Sequence, residues 1–125
     1  MFQLKAGQFP LLASRHRKDP VARSLLRSYD AAITNPQDAL THLYEIRDAL
    51  AKKFGGDDKA RSALNIAKHQ WSRLGYLANE APLSQGRHRG KKLGQLRDAT
   101  DAELKEARAI AKQMILAYQT HLGSR

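Results

Sequence analysis

No cysteine occurs among the 125 residues of the chain. That absence excludes disulfides, thiolate metal ligands and a cysteine nucleophile, and it fits a reducing, cytoplasmic compartment. Long apolar runs are missing as well, and nothing approaches the ~18 consecutive apolar residues of a membrane-spanning helix. The opening residues lack a charged start followed by an apolar block, so no secretory signal is expected. The β-branched alternation that a half-buried strand needs is also absent. The five histidines, His16, His42, His69, His88 and His121, never pair at metal-ligand spacing on one helical turn. No carboxylate-x-x-His motif occurs, so no metal site is expected. The glycines lack the strand–loop–helix setting of a Walker phosphate loop, and no cofactor is expected.

What is present is ordinary in bulk and unusual in its distribution. An apolar fraction of 42% and a charged fraction of 27% suit a soluble globular chain with one core. The formal net charge is +10. Between positions 15 and 27, Arg15, Arg17, Lys18, Arg23 and Arg27 oppose only Asp19, a local balance of +4. Between positions 87 and 97, Arg87, Arg89, Lys91, Lys92 and Arg97 meet no acid, a balance of +5. Nearly all the excess therefore sits in two short segments. Clustered cations favour phosphate backbones through steering and counterion release. A nucleic acid is the expected partner and an acidic protein the alternative; a membrane is not expected.

Residues 1–18 read as an irregular basic arm ending in Arg15, His16, Arg17 and Lys18, and residues 19–125 as a helical domain. Asp19-Pro20 is a helix start, with the carboxylate capping orphan amides and proline tolerated in the first turn. The first helix spans 20–34, with Val21, Leu25, Leu26, Tyr29 and Ile33 on one stripe. Asn35-Pro36 repeats the signal for a second helix over 36–54, which turns Leu40, Leu43, Tyr44, Ile46, Leu50 and Phe54 inward. Asp48 and Lys52 form an i, i+4 pair outside, and Gly55-Gly56 ends the helix. Residues 59–79 keep helical spacing through Ala60, Ala63, Leu64, Ala67, Trp71, Leu74, Leu77 and Ala78. A capping box, Thr100 with Glu103, opens the last helix, which runs to 121 with Leu104, Ala107, Ala111, Met114, Ile115 and Tyr118 inward. The expected fold is all-α: an antiparallel four-helix bundle with an irregular N-terminal arm and a long basic loop between the last two helices.

Two readings of 59–79 stand side by side. One is a continuous amphipathic helix. The other is a helix-turn-helix broken at Asn65 in the left-handed conformation, with Lys68, His69, Gln70 and Arg73 facing the major groove of DNA. The basic loop suggests a different chemistry. Pro82, Gly86, Gly90 and Gly94 disfavour regular structure there. Within it, Arg87, His88 and Arg89 supply what metal-independent RNA cleavage needs: a group that titrates near neutrality and cations for the crowded phosphorane. Of the aromatic residues at helical spacing, Trp71 belongs to the core, and Tyr76 lies off the main stripe as the best exposed platform for stacking a base.

Three runs carry a family resemblance: Leu43-Tyr44-Glu45-Ile46-Arg47, then Trp71-Ser72-Arg73-Leu74-Gly75-Tyr76-Leu77-Ala78-Asn79, then Gln85-Gly86-Arg87-His88-Arg89-Gly90. Over 38–122 the chain resembles the HEPN-like helical-bundle proteins encoded near mobile elements and defence loci. The resemblance implies an up-and-down bundle, often a homodimer, with RNA-directed sites at the end of the third long helix. Nuclease members of that family carry an arginine four to six residues before a histidine. Here no arginine stands at that distance before His88: Arg73 is far upstream and Arg87 is adjacent. Arg73 and Asn79 have compatible spacing, but asparagine cannot act as a base.

The resulting expectation is a domain that binds nucleic acid, RNA in preference to DNA, through Arg87, Arg89, Lys91, Lys92 and Arg97. Arg15, Arg17, Lys18, Arg73 and Asn79 assist, and His88 with Arg87 form the candidate catalytic pair of a ribonuclease. The alternatives are a helix-turn-helix DNA-binding regulator using 58–79, and a non-catalytic dimerisation or protein-interaction module.

Overall fold

The computed structural model describes residues 18–87 and 96–124 of the chain. Among these residues five α-helices run in order: α1 (Pro20–Thr34), α2 (Ala39–Phe54), α3 (Asp57–Leu64), α4 (Lys68–Gly75) and α5 (Asp101–Gly123). A 3₁₀ turn, Pro36–Asp38, leads into α2, and a π turn, Tyr76–Glu80, extends α4. The described residues contain no strand; one isolated parallel bridge joins Leu83 to Arg97.

The helix ends form where the side chains dictate. The Asp19 carboxylate accepts the Ala22 amide at 2.9 Å and the Tyr118 hydroxyl at 3.0 Å. One residue thus caps α1 and ties its start to α5. Gly55 closes α2 at φ 87°, a conformation that favours glycine. At the head of α5, the Thr100 hydroxyl accepts the Glu103 amide at 3.0 Å and the Glu103 carboxylate accepts the Thr100 amide at 2.9 Å. The outer Lys52–Asp48 pair closes at 3.2 Å.

The third helical segment is not continuous. It starts at Asp57 and breaks at Asn65, which adopts φ 56° and ψ 47° and caps α3. The core supplies the reason. In a straight helix Leu64 and Ile66 would point about 200° apart, since residues advance by roughly 100° each. With the left-handed residue between them, both are buried. Asparagine tolerates that conformation better than other residues with a Cβ. Among the described residues there are therefore five α-helices where four were expected. Helix α2 also starts later than expected, because Pro36–Asp38 form the tighter 3₁₀ turn.

Helices α2 and α5 each touch all the other helices and pack against one another. Leu40, Leu43, Ile46 and Leu50 of α2 are fully buried at i, i+3, i+4 spacing, facing Ala107, Ala111, Met114, Ile115 and Tyr118 of α5. The chain beyond α4 stays in the core through Leu77, Ala78, Ala81 and Leu83 before it reaches the basic segment. That path sets the position of the site.

Candidate nucleic-acid interface

The basic segment springs from a base pinned on both sides. On the entry side, the Arg87 amide donates to the Ala78 carbonyl at 2.7 Å, and the Thr41 amide donates to the Gln85 carbonyl at 3.2 Å. Gly86 is buried so tightly that an added Cβ would lie 2.8 Å from the Ala78 oxygen, too close for any side chain. On the exit side, the Ser84 amide donates to the Arg97 carbonyl at 2.9 Å, and the Arg97 amide donates to the Pro82 carbonyl at 3.0 Å. The Gln85 side chain closes the base by accepting the Ala99 amide at 3.0 Å. Burying Leu83 adds roughly 1.5–3 kcal/mol of anchoring. Arg87 and Arg97 are thus both fixed to the core through their backbones.

Beside this base, arginines and aromatic rings interleave. The Arg87 guanidinium lies 4.6 Å from the Tyr44 ring centre and donates to the Asn79 side-chain oxygen at 3.2 Å. Arg47 lies 5.1 Å from the centres of both Tyr44 and Trp71. It also donates to the Trp71 carbonyl at 3.2 Å and to Asp57 at 3.4 Å. Gly75 makes room for it, because a Cβ there would collide with Arg47 Nη1. Two buried donors, Arg47 Nε and Trp71 Nε1, find no acceptor among the described residues. Leaving a buried donor unpaired costs roughly 1–3 kcal/mol, so this is not the cheapest way to fill a core.

The second group of cations is neutralised. Arg73 forms a two-pronged pair with Glu106 at 3.0 and 3.1 Å. Arg97 does the same with Glu103, both distances being 2.9 Å. The Arg97 hydrogen bond, followed by that from the Thr100 amide, holds the Glu103 carboxyl down to about 2. Glu106 in turn raises the Arg73 pKa, and Glu103 that of Arg97. Tyr76 is the one exposed large hydrophobic residue among those described, with 48% of its surface accessible and Arg73 5.4 Å from its ring centre.

Of the residues expected at the site, the structure brings Arg87, Asn79 and Tyr76 together at one end of α4. Arg73 and Arg97 lie nearby with their charge balanced. Lys18 is exposed just before the cap of α1. Arg15, Arg17, His88, Arg89, Lys91 and Lys92 lie outside the described residues. Sequence reasoning gave no role to Arg47, which entered only as the last residue of the run over 43–47, or to Glu80, which borders the same cleft as Tyr76. The glycine at 75, within a helical pattern, is the one signal of a close approach there. Among the described residues no three His, Asp or Glu side chains group as a metal site. Compared with known proteins, the chain matches no family model, no curated protein and no solved structure at a significant level.

Proposed function

We propose that this helical domain binds nucleic acid, RNA in preference to DNA, through the cationic segment that begins at Arg87. The observation that carries the reading is Arg87 itself, exposed yet held by Tyr44 and Asn79 at the start of a segment whose next cations are Arg89, Lys91 and Lys92. A guanidinium fixed before its ligand arrives loses less freedom on binding. Arg73 and Arg97 already hold carboxylates, so the working charge narrows to Arg87, Arg89, Lys91 and Lys92. That assignment agrees with what the HEPN-like resemblance implies.

A cleaving version of the same function assigns the proton transfer to His88. His88 takes the 2′-hydroxyl proton as that oxygen attacks phosphorus, Arg87 offsets the charge on the phosphorane, and the 5′-oxygen leaves with a proton from water, giving a 2′,3′-cyclic phosphate and a 5′-hydroxyl. Cleavage of single-stranded RNA in the presence of a chelator, lost in His88→Ala with binding retained, is the expected result. Cleavage that persists in His88→Ala removes the histidine from the chemistry.

The left-handed Asn65 between α3 and α4 favours a second reading, the helix-turn-helix regulator of duplex DNA. Weighing against it, Arg73 on the would-be recognition face is already paired with Glu106 of α5, at 3.0 and 3.1 Å. The two readings separate by mutation. Loss of RNA binding in the Arg87→Ala, Arg89→Ala, Lys91→Ala, Lys92→Ala variant supports the loop. Loss of duplex DNA binding in Lys68→Ala, Gln70→Ala, with the loop intact, supports the helix.

A further inference from the structure

Next to Arg87 the surface folds into a cleft of about 290 Å³ bordered by Arg47, Ser72, Gly75, Tyr76, Asn79 and Glu80. Ligand pockets usually measure roughly 300–1,000 Å³. This one therefore suits a single flat group better than a whole cofactor. One wall is the exposed ring of Tyr76. Its polar rim is mixed: a hydroxyl, a carboxamide, a carboxylate and the largely buried Arg47 guanidinium, whose charge Asp57 already offsets at 3.4 Å. Among the described residues no hydrogen bond or ion pair engages the side chain of Ser72 or Glu80, so both stay available to a ligand. The carboxylate argues against phosphate inside the cleft. The cation suited to phosphate, Arg87, is bonded to Asn79 at the cleft's edge.

We propose that this cleft reads one base of a single-stranded RNA, a deepening that rests on the nucleic-acid reading above. The base lies against Tyr76, Glu80 accepts hydrogen bonds from its edge, and Arg87 holds the adjoining phosphate. Two chemical consequences follow. A base can reach the ring only if it is unstacked, so duplexes are poor ligands. An anionic acceptor prefers bases that carry an exocyclic amine, as glutamate does with the cytosine amine, and disfavours uracil, whose edge offers mainly carbonyls. The cleft is thereby a specificity element, while the cationic loop supplies sequence-independent affinity.

The test is fluorescence anisotropy with labelled oligocytidine and oligouridine RNA, using wild type, Tyr76→Ala, Glu80→Gln and the fourfold loop variant. Wild type is expected to bind oligocytidine more tightly than oligouridine. Tyr76→Ala should weaken oligocytidine binding about 5- to 150-fold, the range for loss of one base–aromatic stack. Glu80→Gln should bring the two affinities together, because an amide serves either base. The loop variant should weaken both ligands by a similar factor. Equal affinities in wild type with no effect of Tyr76→Ala, while the loop variant still loses RNA, overturn the cleft and leave the loop reading standing. Failure of wild type to bind either RNA overturns both. Both substituted side chains are exposed, and circular dichroism verifies that the variants fold.

Discussion

Replacing Gly75 by alanine tests the arginine-aromatic stack, because two physical effects oppose each other there. Alanine is favoured over glycine in a helix by about 0.8–1.0 kcal/mol, so the bare expectation is a more stable protein. The structure predicts the reverse sign. A Cβ at 75 collides with Arg47 Nη1, the atom that donates to the Trp71 carbonyl at 3.2 Å. The Arg47 side chain, only 15% exposed, is held at Trp71 and Asp57, so shifting its guanidinium gives up those hydrogen bonds. Losing a hydrogen bond from a charged donor costs roughly 1.5–3 kcal/mol. Set against the helical gain, the net destabilisation is about 0.5–2 kcal/mol, and more if the guanidinium also leaves the Tyr44 and Trp71 rings. Urea unfolding followed by the fluorescence of Trp71, the single tryptophan, measures it. A second arm isolates the cause. With Arg47→Met already in place, adding Gly75→Ala should recover the helical gain of about 1 kcal/mol. A Gly75→Ala protein more stable than wild type, with Arg47 present, refutes the reasoning.

Asn65→Gly should be neutral or slightly stabilising, whereas Asn65→Ala should cost roughly 1–2 kcal/mol, because only the former relieves the left-handed conformation; thermal unfolding compares them. The capping box gives a pH dependence of fixed sign. Glu103 titrates at about 2 when folded, below the ordinary carboxylate range, so its contribution is present above that range and lost as pH falls towards 2. The stability gap between wild type and Glu103→Gln should accordingly be full near neutrality and shrink on acidification. A gap independent of pH would rule out the carboxylate as its source. Gly86→Ala should loosen the base of the basic segment, since the new Cβ would meet the Ala78 carbonyl; faster hydrogen exchange at the Arg87 amide is the expected signal, and an unchanged rate contradicts it.

Much of the fold was legible in local chemistry. Asp19, Gly55 and the Thr100–Glu103 box act as their residue types dictate, and the stripes on α2 and α5 follow their periodicity. The break at Asn65 was harder to read. Helical spacing continues through it, and the preference for burying both Leu64 and Ile66 depends on the other helices. The site divides the same way. Charge clustering pointed to Arg87, and an off-stripe position pointed to Tyr76. The neutralisation of Arg73 by Glu106, 33 positions away, depends on how α5 docks, which no local pattern encodes. Arg47 was invisible for a related reason: its burial requires a glycine from α4 to lie opposite α2.

The central claim is that Arg87 and the cations following it meet phosphates. The dependence of single-stranded RNA affinity on salt tests it directly, as a plot of log Kd against log salt concentration for wild type and for the fourfold alanine variant at Arg87, Arg89, Lys91 and Lys92. Each phosphate that the variant leaves without its cation should reduce the slope by about 0.7, for a total of up to roughly 3. A slope that is the same in both proteins would contradict the account.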